Sequence, residues 1–360
     1  MISSPKTMSG RVSPANIMPA EWEPHEATWI GWPQNLTDWP GKFTPIPWVY
    51  AEIVRKLTEG EKVRILVDSK RVEQKAKDVL TKVGVNNKMV EFFQIPTNRG
   101  WTRDMGPMFI RQGKKKNHRT ILRFGFSGWA KYPNWQKDGT VPERVSKILK
   151  IPLFDAMAAD RRVVLEGGSI DVNGRGTLIT TEECLLHPKI QVRNPGFSRK
   201  DYESVFSKYL GASNVIWLGK GIAGDDTHGH VDDLCRFVNL RTVVLCAENN
   251  KNDDNYKPLC ENLERLQTAR LEDGSRPEVI PLPMPAPLYF NEQRLPASYA
   301  NFYISNAAAL VPTFNDPNDR HALGILGELI TDRPVIGIHA VDLVWGLGTL
   351  HCLTQQQPGR

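Results

Sequence analysis

Near its C-terminal end the chain reads Gly346-Leu347-Gly348-Thr349-Leu350-His351-Cys352-Leu353-Thr354-Gln355-Gln356-Gln357-Pro358. Glycine permits tight turns and a close approach of the backbone to a ligand, so this segment can present the thiol of Cys352 at the mouth of a cavity. Most cysteines are small buried hydrophobic residues, however, and from this segment alone that interpretation of Cys352 remains open. The glycine pair lacks the third glycine and the following helix of a dinucleotide-binding loop, which excludes that motif here.

The composition is that of a folded protein built as one large domain. The chain has 360 residues, of which 40% are hydrophobic and 24% are charged, and this is sufficient for a full hydrophobic core. No apolar run reaches the roughly 18 residues that a membrane span needs, so we expect no membrane partner. We predict a short disordered tail over residues 1–17 and a single domain over residues 18–360.

The net charge and the spacing of the cysteines bear on the partners, metal sites and compartment of the protein. The net charge is +6, but the basic residues are scattered, and the one dense run, Lys114-Lys115-Lys116, is predicted to be a hairpin tip. We therefore expect no nucleic-acid partner. The five cysteines are widely spaced and form no CxxC pair, which argues against a structural zinc site. Their odd number indicates a reducing compartment, so we expect a cytoplasmic protein.

Short apolar strands and amphipathic helices follow one another in the order strand, strand, helix, strand, about five times along the chain. Helices are predicted over residues 141–149 and 319–330, the second capped by Asp316 or Asn318. Residues 162–165 and 349–353 are predicted to be strands. The hairpins favour one closed α/β domain of several similar units over an open doubly wound sheet, in which helical crossovers join the parallel strands.

The first block with residues suited to binding or catalysis is Trp101-Thr102-Arg103-Asp104-Met105-Gly106-Pro107, which leads into a predicted strand. The face of Trp101 and the carboxylate of Asp104 both attract a cation, which suggests a binding site for a positively charged group. Alternatively, Arg103 and Asp104 form a surface ion pair, which contributes little to stability.

The second block is Glu166-Gly167-Gly168, directly after the apolar residues Val163-Val164-Leu165. A carboxylate at the end of a buried strand is unfavourable unless it has a partner. Glu166 is therefore a candidate site residue. The alternative is a β-bulge with a solvated acid.

The third block is Asp225-Asp226-Thr227-His228-Gly229-His230-Val231-Asp232-Asp233. On a predicted extended segment, His230 and Asp232 point to the same side and form an acid–base pair with a tunable pKa. His228 shares that side, so the pattern His-x-His-x-Asp also fits a metal cluster. A plain polar turn is the third interpretation. A thiolate at Cys352 beside His230 would complete a cysteine–histidine nucleophile.

Together these blocks resemble the agmatine deiminase family, within the guanidine-modifying pentein superfamily that includes arginine deiminases and peptidyl-arginine deiminases. The resemblance rests on five blocks in order: Met18-Pro19-Ala20-Glu21-Trp22-Glu23-Pro24-His25, Trp101 to Pro107, Leu165-Glu166-Gly167-Gly168, Gly229-His230-Val231-Asp232 and His351 to Pro358. Leu347 stands where the family has glycine, Thr349 where it has asparagine, and His228 where an acid or asparagine is usual. These departures concern substrate preference and rate more than the type of reaction.

The resemblance implies a five-bladed α/β propeller with pseudo-fivefold symmetry and an active site in its central channel. It also implies the roles of the site residues. Asp104 and Asp232 would grip a guanidinium group, Cys352 would attack its central carbon, and His230 would transfer protons. Glu166 would hold His230 in position. The implied catalytic domain then spans residues 18–360, works without metal or cofactor, and forms a homodimer.

The expected reaction is the hydrolysis of agmatine to N-carbamoylputrescine and ammonia, on the way to putrescine. Agmatine ends in an ammonium group, for which Asp226 and Trp101 are candidate binding residues, with Trp32 and Asp38 further out. Three alternatives remain: a deiminase of arginine or peptidyl-arginine, a metal-dependent amidohydrolase that uses His228, His230 and Asp232, and a guanidine or polyamine binder that makes no use of Cys352.

Overall fold

The computed structural model describes residues 16–112 and 119–359. The α-helices in this part of the chain are α1 (Ile46–Leu57), α2 (Lys70–Lys82), α3 (Thr102–Met105), α4 (Val141–Leu149), α5 (Glu182–Leu186), α6 (Arg199–Val205), α7 (Tyr256–Thr268), α8 (Pro317–Leu329) and α9 (Leu350–Leu353). None of these helices combines the length and the apolar character needed to cross a membrane.

The strands of the same residues are β1 (Asn16–Ile17), β2 (His25–Gly31), β3 (Lys62–Val67), β4 (Val90–Gln94), β5 (Met108–Gln112), β6 (Arg119–Arg123), β7 (Leu153–Asp155), β8 (Met157–Ala158), β9 (Arg161–Arg162), β10 (Asp171–Val172), β11 (Thr177–Thr181), β12 (Asn214–Leu218), β13 (Cys235–Phe237), β14 (Thr242–Ala247), β15 (Glu278–Pro283), β16 (Tyr289–Phe290), β17 (Gln293–Arg294), β18 (Tyr303–Ile304), β19 (Ala309–Thr313), β20 (Val335–His339) and β21 (Thr354–Pro358). The predicted lysine hairpin tip and residues 1–15 of the predicted tail lie outside the described residues. The last two residues of that predicted tail form β1, which pairs with β5.

Five sheets of the described chain share one core arrangement, in which an antiparallel strand pair is followed by a strand parallel to the second member of the pair. These cores are β5–β6–β7, β10–β11–β12, β13–β14–β15, β18–β19–β20 and β21–β2–β3. Each parallel connection contains a helix, because parallel neighbours need a crossover. The mixed α/β class and the repeated strand, strand, helix, strand order are confirmed.

The two ends of the described chain meet in one sheet. The C-terminal strand β21 runs antiparallel to β2, with Thr354 opposite Ile30 and Gln357 opposite Ala27. The side chain of Gln357 accepts hydrogen bonds from Trp29 Nε1 at 3.0 Å and from Arg64 Nη1 at 2.5 Å. The sheet β21–β2–β3–β4 thus combines the last strand of the described chain with three strands from its first hundred or so residues.

Local sequence explains where the outer helices begin and which side they bury. The side chain of Ser69 caps α2, and the helix turns Ala76 and Leu80 into the core, as an amphipathic pattern requires. Asp316 caps α8 as part of a capping box. Of the two predicted caps, Asp316 is therefore correct and Asn318 is not.

Two predicted strands differ from the structure, and in both a distant side chain takes up backbone hydrogen bonds. Residues 350–353 form α9 rather than a strand, and the Asn301 side chain accepts the backbone N–H of His351 at 3.0 Å. Of residues 162–165, Arg162 belongs to β9 and Val164 forms an isolated parallel bridge with Gly125. The N–H and the carbonyl of Val164 bond the Asn194 amide, at 2.9 and 2.7 Å.

Candidate active site

The site is assembled from five segments, each lying just before the first strand of one of the five core sheets. Asp104 lies in α3 before β5, and Glu166 lies before a 3₁₀ turn that leads to β10. Asp232 lies in the 3₁₀ turn Val231–Asp233 before β13, Asn301 lies before β18, and Cys352 lies in α9 before β21. The same position in each repeat therefore supplies one polar side chain to a shared centre.

Cys352 lies in this centre as a buried thiol with two polar neighbours. Its Sγ accepts a hydrogen bond from Asn301 Nδ2 at 3.1 Å and lies 3.6 Å from Asp232 Oδ2. Burial, together with the carboxylates of Asp232, Asp233 and Asp104, holds the pKa of the Cys352 thiol well above its usual value, while the Asn301 contact opposes this. The free site therefore holds Cys352 as a thiol, and the interpretation as an inert core cysteine does not fit these polar contacts.

His230 is fully buried among carboxylates. Its Nδ1 lies 3.8 Å from Asp104 Oδ1 and 4.0 Å from Asp232 Oδ1, and its Nε2 lies 3.9 Å from Glu166 Oε2. Burial disfavours the imidazolium, but Asp104, Cys184 and Glu166 together hold the pKa of His230 well above its usual value. Within the described residues neither ring nitrogen has a hydrogen-bond partner, so a charged acid is available to a bound group.

Asp104 is fixed by one backbone and one side-chain donor. Its Oδ1 accepts the N–H of Gly168 at 2.9 Å, and its Oδ2 accepts Trp129 Nε1 at 2.8 Å. Burial raises the pKa of Asp104, His230 opposes that shift, and Asp232 and Glu166 reinforce it. The alternative of an Arg103–Asp104 surface pair is wrong, because both residues are buried and Arg103 pairs with Glu21 at 3.0 Å.

Glu166 is held by a buried guanidinium. Arg193 Nε lies 3.3 Å from both carboxylate oxygens of Glu166, and neither side chain is exposed. Burial alone would raise the pKa of Glu166, but Arg193 and His230 lower it to about 2. The alternative of a solvated acid on a bulge is therefore wrong. Gly168, two residues on, has no room for a side chain, since a Cβ there would lie 2.6 Å from His230 Nδ1.

Asp232 has one oxygen bound and one free. Its Oδ2 lies 2.6 Å from His351 Nδ1, whereas its Oδ1 is buried without a hydrogen-bond partner among the described residues. Burial raises the pKa of Asp232, but His351 and His230 bring it below its usual value. The extended segment predicted here is wrong. A left-handed turn at His228 (φ 64°) and Gly229 (φ 94°) leads into the 3₁₀ turn, and Gly229 adopts this conformation at little cost.

A cleft of about 510 Å³, including its opening to solvent, reaches Asp104 and Cys352. Its walls include Trp101, Trp129, Tyr132, Arg99, Asp38 and Asp226. Trp101, Asp226 and Asp38, which were predicted as candidate binding residues, therefore all lie in the wall of the cleft. Trp32 instead packs edge-on against Tyr50 in the core, so its predicted outer position in the site is wrong.

The acids of the cleft wall already have cationic partners. Asp226 pairs with Lys131 and accepts the hydroxyl of Tyr132 at 2.7 Å. Asp38 pairs with Arg99, and burial still raises the pKa of Asp38 to about 6 against the opposing effect of Arg99. A ligand cation that reaches Asp226 therefore competes with a lysine of the protein itself.

The three departures from the family pattern have definite positions. Leu347 lines the cleft and adopts a left-handed conformation with φ of 69°. Thr349 donates its hydroxyl to Asn301 Oδ1 at 2.8 Å, and so supports the amide that contacts Cys352. His228 lies edge-on to His187, with its Nδ1 4.0 Å from Glu183.

The position of His228 contradicts the predicted metal cluster. Within the described residues, two groups of three metal-capable side chains have ligand atoms within 4.8 Å of one another: Glu166 with Cys184 and His230, and Asp232 with Asp233 and Cys352. Neither group contains His228. The guanidinium of Arg193 bound to Glu166 also disfavours a cation in the first group.

Sequence reasoning missed several side chains that complete the centre, namely Asn301, Asp233, Trp129, Arg193 and His351. Asp233 and His351 are sequence neighbours of the predicted residues Asp232 and Cys352, and this was the available signal. Asn301, Trp129 and Arg193 lie outside the blocks described above and join the site only when distant segments meet.

The fold and the site together define a class: an α/β protein with a buried thiol, an imidazolium and paired carboxylates around a cleft that suits a cationic group. The profile of the Porphyromonas-type peptidyl-arginine deiminase family matches residues 17–358. The chain belongs to this family.

Named relatives are similar over nearly the whole chain. An agmatine deiminase of Medicago truncatula is 35% identical over 95% of this chain and 96% of its own, and one of Ectopseudomonas mendocina is 33% identical over 95% of both chains. Among solved structures, a cysteine-to-serine variant of C. jejuni agmatine deiminase with substrate bound has a TM-score of 0.83 at 30% identity, covering 95% of this chain and 96% of its own. The agmatine deiminase of Enterococcus faecalis has a TM-score of 0.87 at 28% identity, over 98% and 99%.

Proposed function

We propose that this protein is an agmatine deiminase, a hydrolase that acts on C–N bonds of linear amidines and converts agmatine to N-carbamoylputrescine and ammonia. The observation that carries the proposal is the buried centre in which the Cys352 thiol lies 3.6 Å from Asp232 Oδ2, while Asp232 and Asp104 both face His230 Nδ1, at 4.0 and 3.8 Å. The relatives named agmatine deiminase, one of them solved with substrate bound, support the choice of substrate.

The two carboxylates hold the guanidinium. Asp104 and Asp232 each offer an oxygen near His230 Nδ1, at 3.8 and 4.0 Å. A guanidinium presents N–H groups in a planar fork that matches carboxylates. The unpartnered Oδ1 of Asp232 is an acceptor that a bound N–H satisfies. The cation also offsets the negative charge that keeps the Cys352 thiol protonated, so substrate binding itself favours the thiolate.

In the first half-reaction, the thiolate of Cys352 forms a bond to the central guanidinium carbon. His230 gives its proton to one NH₂ group, and the C–N bond breaks to release ammonia. The product on the enzyme is a thiouronium cation, and His230 is left neutral. Glu166, held by Arg193, keeps the ring of His230 oriented for this transfer.

In the second half-reaction, a water molecule attacks the thiouronium carbon while neutral His230 accepts its proton. The C–S bond then breaks, Cys352 leaves as a thiolate, and the remaining hydroxyl proton passes through solvent to the released ammonia as the carbon becomes the carbonyl of a ureido group. Overall, the guanidinium and one water give N-carbamoylputrescine and ammonium, with His230 returned to its charged form. The chemistry uses this chain's side chains alone.

The decisive test is the nucleophile. Cys352→Ser is expected to abolish ammonia release from agmatine, since a serine hydroxyl does not supply a thiolate-like nucleophile at neutral pH. Cys260→Ser, at a half-buried cysteine of α7, serves as the matched control and is expected to keep full activity. Normal turnover by Cys352→Ser, or turnover of L-arginine or a peptidyl-arginine above that of agmatine, would overturn the proposal.

Asp226 binds the distal ammonium of agmatine in place of Lys131. Its carboxylate lies in the wall of the cleft, and its present partners are Lys131 and Tyr132. Asp226→Asn is expected to lower kcat/KM for agmatine at least tenfold relative to a tail-less alkylguanidine. Lys131→Met, which removes the competing cation, is expected to raise that ratio, and an unchanged ratio in both variants excludes Asp226 from tail recognition.

We propose that the five core sheets form the blades of an α/β propeller with pseudo-fivefold symmetry. Support comes from the repeated strand order and from the site residues, each of which precedes the first strand of its sheet. A crystal structure with five blades around the cleft tests this arrangement, and an open sheet would contradict it.

We infer further that the protein is a cytoplasmic homodimer that serves putrescine formation. All five cysteines are free thiols, which suits a reducing compartment. Sedimentation equilibrium measures the oligomeric state, and a monomeric mass at micromolar concentration would contradict the dimer.

A further inference from the structure

A continuous chain of charged contacts leads from the active site to the N-terminal segment. Asp232 Oδ2 lies 2.6 Å from His351 Nδ1, and His351 Nε2 lies 2.9 Å from Glu21 Oε2. All three residues are at least nine-tenths buried. Glu21 belongs to the block at residues 18–25 that the reaction described above leaves without a role.

Glu21 is itself held from several sides. Its Oε2 also accepts Arg103 Nη2 at 3.0 Å, and its Oε1 accepts Arg236 Nη2 at 2.9 Å and the backbone N–H of Ile304 at 2.8 Å. Burial alone would raise the pKa of Glu21, but Arg236, His351 and Arg103 lower it well below its usual value. Glu21 is therefore a fixed carboxylate, and its place determines the place of the His351 ring.

The geometry at His351 requires a donor on each side of the ring. Nδ1 faces one carboxylate and Nε2 faces another. A neutral imidazole donates through only one nitrogen, whereas the imidazolium donates through both. Both contacts are hydrogen bonds to ionised carboxylates when His351 is charged, and bonds of this kind are the stronger ones.

The two carboxylate oxygens of Asp232 therefore have different surroundings. His351 occupies Oδ2, which leaves Oδ1, 4.0 Å from His230 Nδ1, buried and without a partner among the described residues. Because His351 directly precedes Cys352 in α9, the same short helix that carries the nucleophile also carries the donor that orients the guanidinium-binding carboxylate.

We propose that Glu21 and His351 are positioning residues for the reaction, which hold the Asp232 carboxylate with its free oxygen directed at the bound guanidinium. The inference rests on the proposed function, because it assigns Asp232 to guanidinium binding. Neither Glu21 nor His351 touches the substrate in this scheme, and both act through Asp232.

Several charged groups face His351 and bear on any pH response. Asp232 reaches it from the 3₁₀ turn before β13, and Glu21 reaches it from the segment before β2. Arg103 of α3 donates to the His351 carbonyl at 3.3 Å, while Arg236 of β13 and Asp171 of β10 form the next ion pair at 3.2 Å. Replacing His351 removes the cation nearest to Asp232, so protonation of Asp232 becomes easier and occurs at higher pH.

The experiment measures kcat and KM for agmatine from pH 5 to pH 9 in His351→Gln and Glu21→Gln. We expect kcat/KM to fall at least tenfold in both variants. The acidic limb of the profile is expected to move to higher pH, by about one unit in His351→Gln and by less in Glu21→Gln. A loss with the pH profile unmoved would indicate a merely structural role and overturn the proposal.

Glu61→Gln is the matched control, because Glu61 is another buried carboxylate that pairs with a histidine, His25, at 3.2 Å. Its carboxylate has no hydrogen bond to Glu21, His351 or Asp232 among the described residues, and His25 reaches only the backbone carbonyl of Glu21, at 2.7 Å. The activity and pH profile of Glu61→Gln are therefore expected to match those of the wild type. Should His351→Gln fail to fold, Glu21→Gln and Glu21→Asp carry the test, and wild-type profiles in both would overturn the proposal.

A second readout does not depend on turnover. Millimolar guanidinium ion is expected to protect Cys352 of the wild type from alkylation by iodoacetamide, because an ion bound at Asp104 and Asp232 blocks access to the sulfur, and this outweighs its favouring of the thiolate. Mass spectrometry of the Cys352 peptide measures the alkylation. Protection is expected to weaken at least tenfold in His351→Gln and Glu21→Gln but not in Glu61→Gln. Protection without agmatine turnover would overturn only the proposed substrate, whereas no protection in the wild type would overturn the inference as well.

Discussion

Four buried carboxyl groups, from Asp104, Glu166, Asp232 and Asp233, surround the ring of His230 or adjoin it, and different partners set their charge. Arg193 lowers the pKa of Glu166, and His351 lowers that of Asp232. Burial raises the pKa of Asp233 well above its usual value, and the neighbouring Asp232 adds to this shift. The centre thus holds carboxylates for binding a cation beside carboxyl groups that resist ionisation, which limits their mutual repulsion.

At the residue scale, the guanidinium clamp predicts a large effect of single charges. Asp104→Asn and Asp232→Asn are each expected to lower kcat/KM for agmatine by at least about 100-fold, on the order of 3 kcal/mol. Each change removes a charged hydrogen bond and also misaligns the central carbon relative to Cys352. Steady-state kinetics provide the measurement. Asp273→Asn is the control, since Asp273 is an exposed acid of a surface ion pair. A loss below tenfold would exclude that carboxylate from the clamp.

At the scale of single elements, the 3₁₀ turn Gly167–Ser169 packs closely against the proposed catalytic groups. A Cβ at Gly168 would lie 2.6 Å from His230 Nδ1 and 3.0 Å from carboxylate oxygens of Asp104 and Asp232. The backbone N–H of Gly168 also donates to Asp104. The turn can therefore take no side chain at this position without moving the groups that it supports.

Gly168→Ala is accordingly expected to reduce kcat by at least about tenfold, because even a displacement on the order of 1 Å is enough to misalign reacting groups. Gly324→Ala in α8, where an added Cβ has no neighbour within 4 Å, is the matched control. It is expected to keep wild-type activity and to gain up to about 1 kcal/mol of helix stability. Equal activity of the two variants would show that the turn tolerates the methyl group.

The segment that leads into α3 depends on another buried acid. Asp138 accepts the backbone N–H groups of Asn98 and Arg99, at 2.5 and 3.3 Å. Burial raises the pKa of Asp138 to about 7, although these bonds and the charge of Arg99 oppose the shift. The folded protein therefore binds a proton at Asp138 in a pH range where the unfolded chain has lost it.

Because its pKa is raised in the folded protein, Asp138 stabilises the fold at low pH and loses this effect as the pH rises. Stability from Asp138 is fully present below about pH 4 and is lost as the pH rises to about 7, by roughly 2–4 kcal/mol. Asp138→Asn keeps an acceptor for both N–H groups but cannot ionise, so its stability is expected to lack this decline. Urea unfolding of both proteins at pH 5 and pH 8 makes the comparison, and parallel changes would contradict the assignment.

At the scale of the whole molecule, the pairing of β21 with β2 joins the two ends of the described chain. Gln357 is fully buried there and satisfies both Trp29 Nε1 and a guanidinium N–H of Arg64. Because α9 immediately precedes β21, this pairing also anchors the helix that carries Cys352. Closure of the sheet and placement of the proposed nucleophile are therefore coupled.

Gln357→Ala is expected to lower the free energy of unfolding by about 2–3 kcal/mol, because it leaves buried donors without an acceptor. Gln94→Ala in β4 of the same sheet is the control, since Gln94 is exposed and bonds only Glu73 among the described residues. Its effect is expected to stay within about 0.5 kcal/mol. Denaturant unfolding measures both, and equal effects would contradict the role of Gln357 in closing the sheet.

The sequence by itself determined the α/β class and the repeated order of elements, and it predicted most of the proposed reacting set. The predicted helix 141–149 coincides with α4, because the apolar periodicity of a helix is a local property. The blocks around Asp104, Glu166, His230 and Cys352 were recognisable because their glycines and polar residues are neighbours in the chain.

Only the tertiary structure decided how those residues are held. The pairing of Glu166 with Arg193, the contact of Asn301 with Cys352, and the chain from Asp232 through His351 to Glu21 all join segments distant in sequence. Residues 350–353 form a helix in which the His351 N–H bonds the distant Asn301 side chain, and Trp32 packs against Tyr50 in the core. Burial makes such contacts strong, because a buried charge or donor without a partner is unfavourable in free energy. Which residues are buried is decided by the whole fold rather than by local sequence.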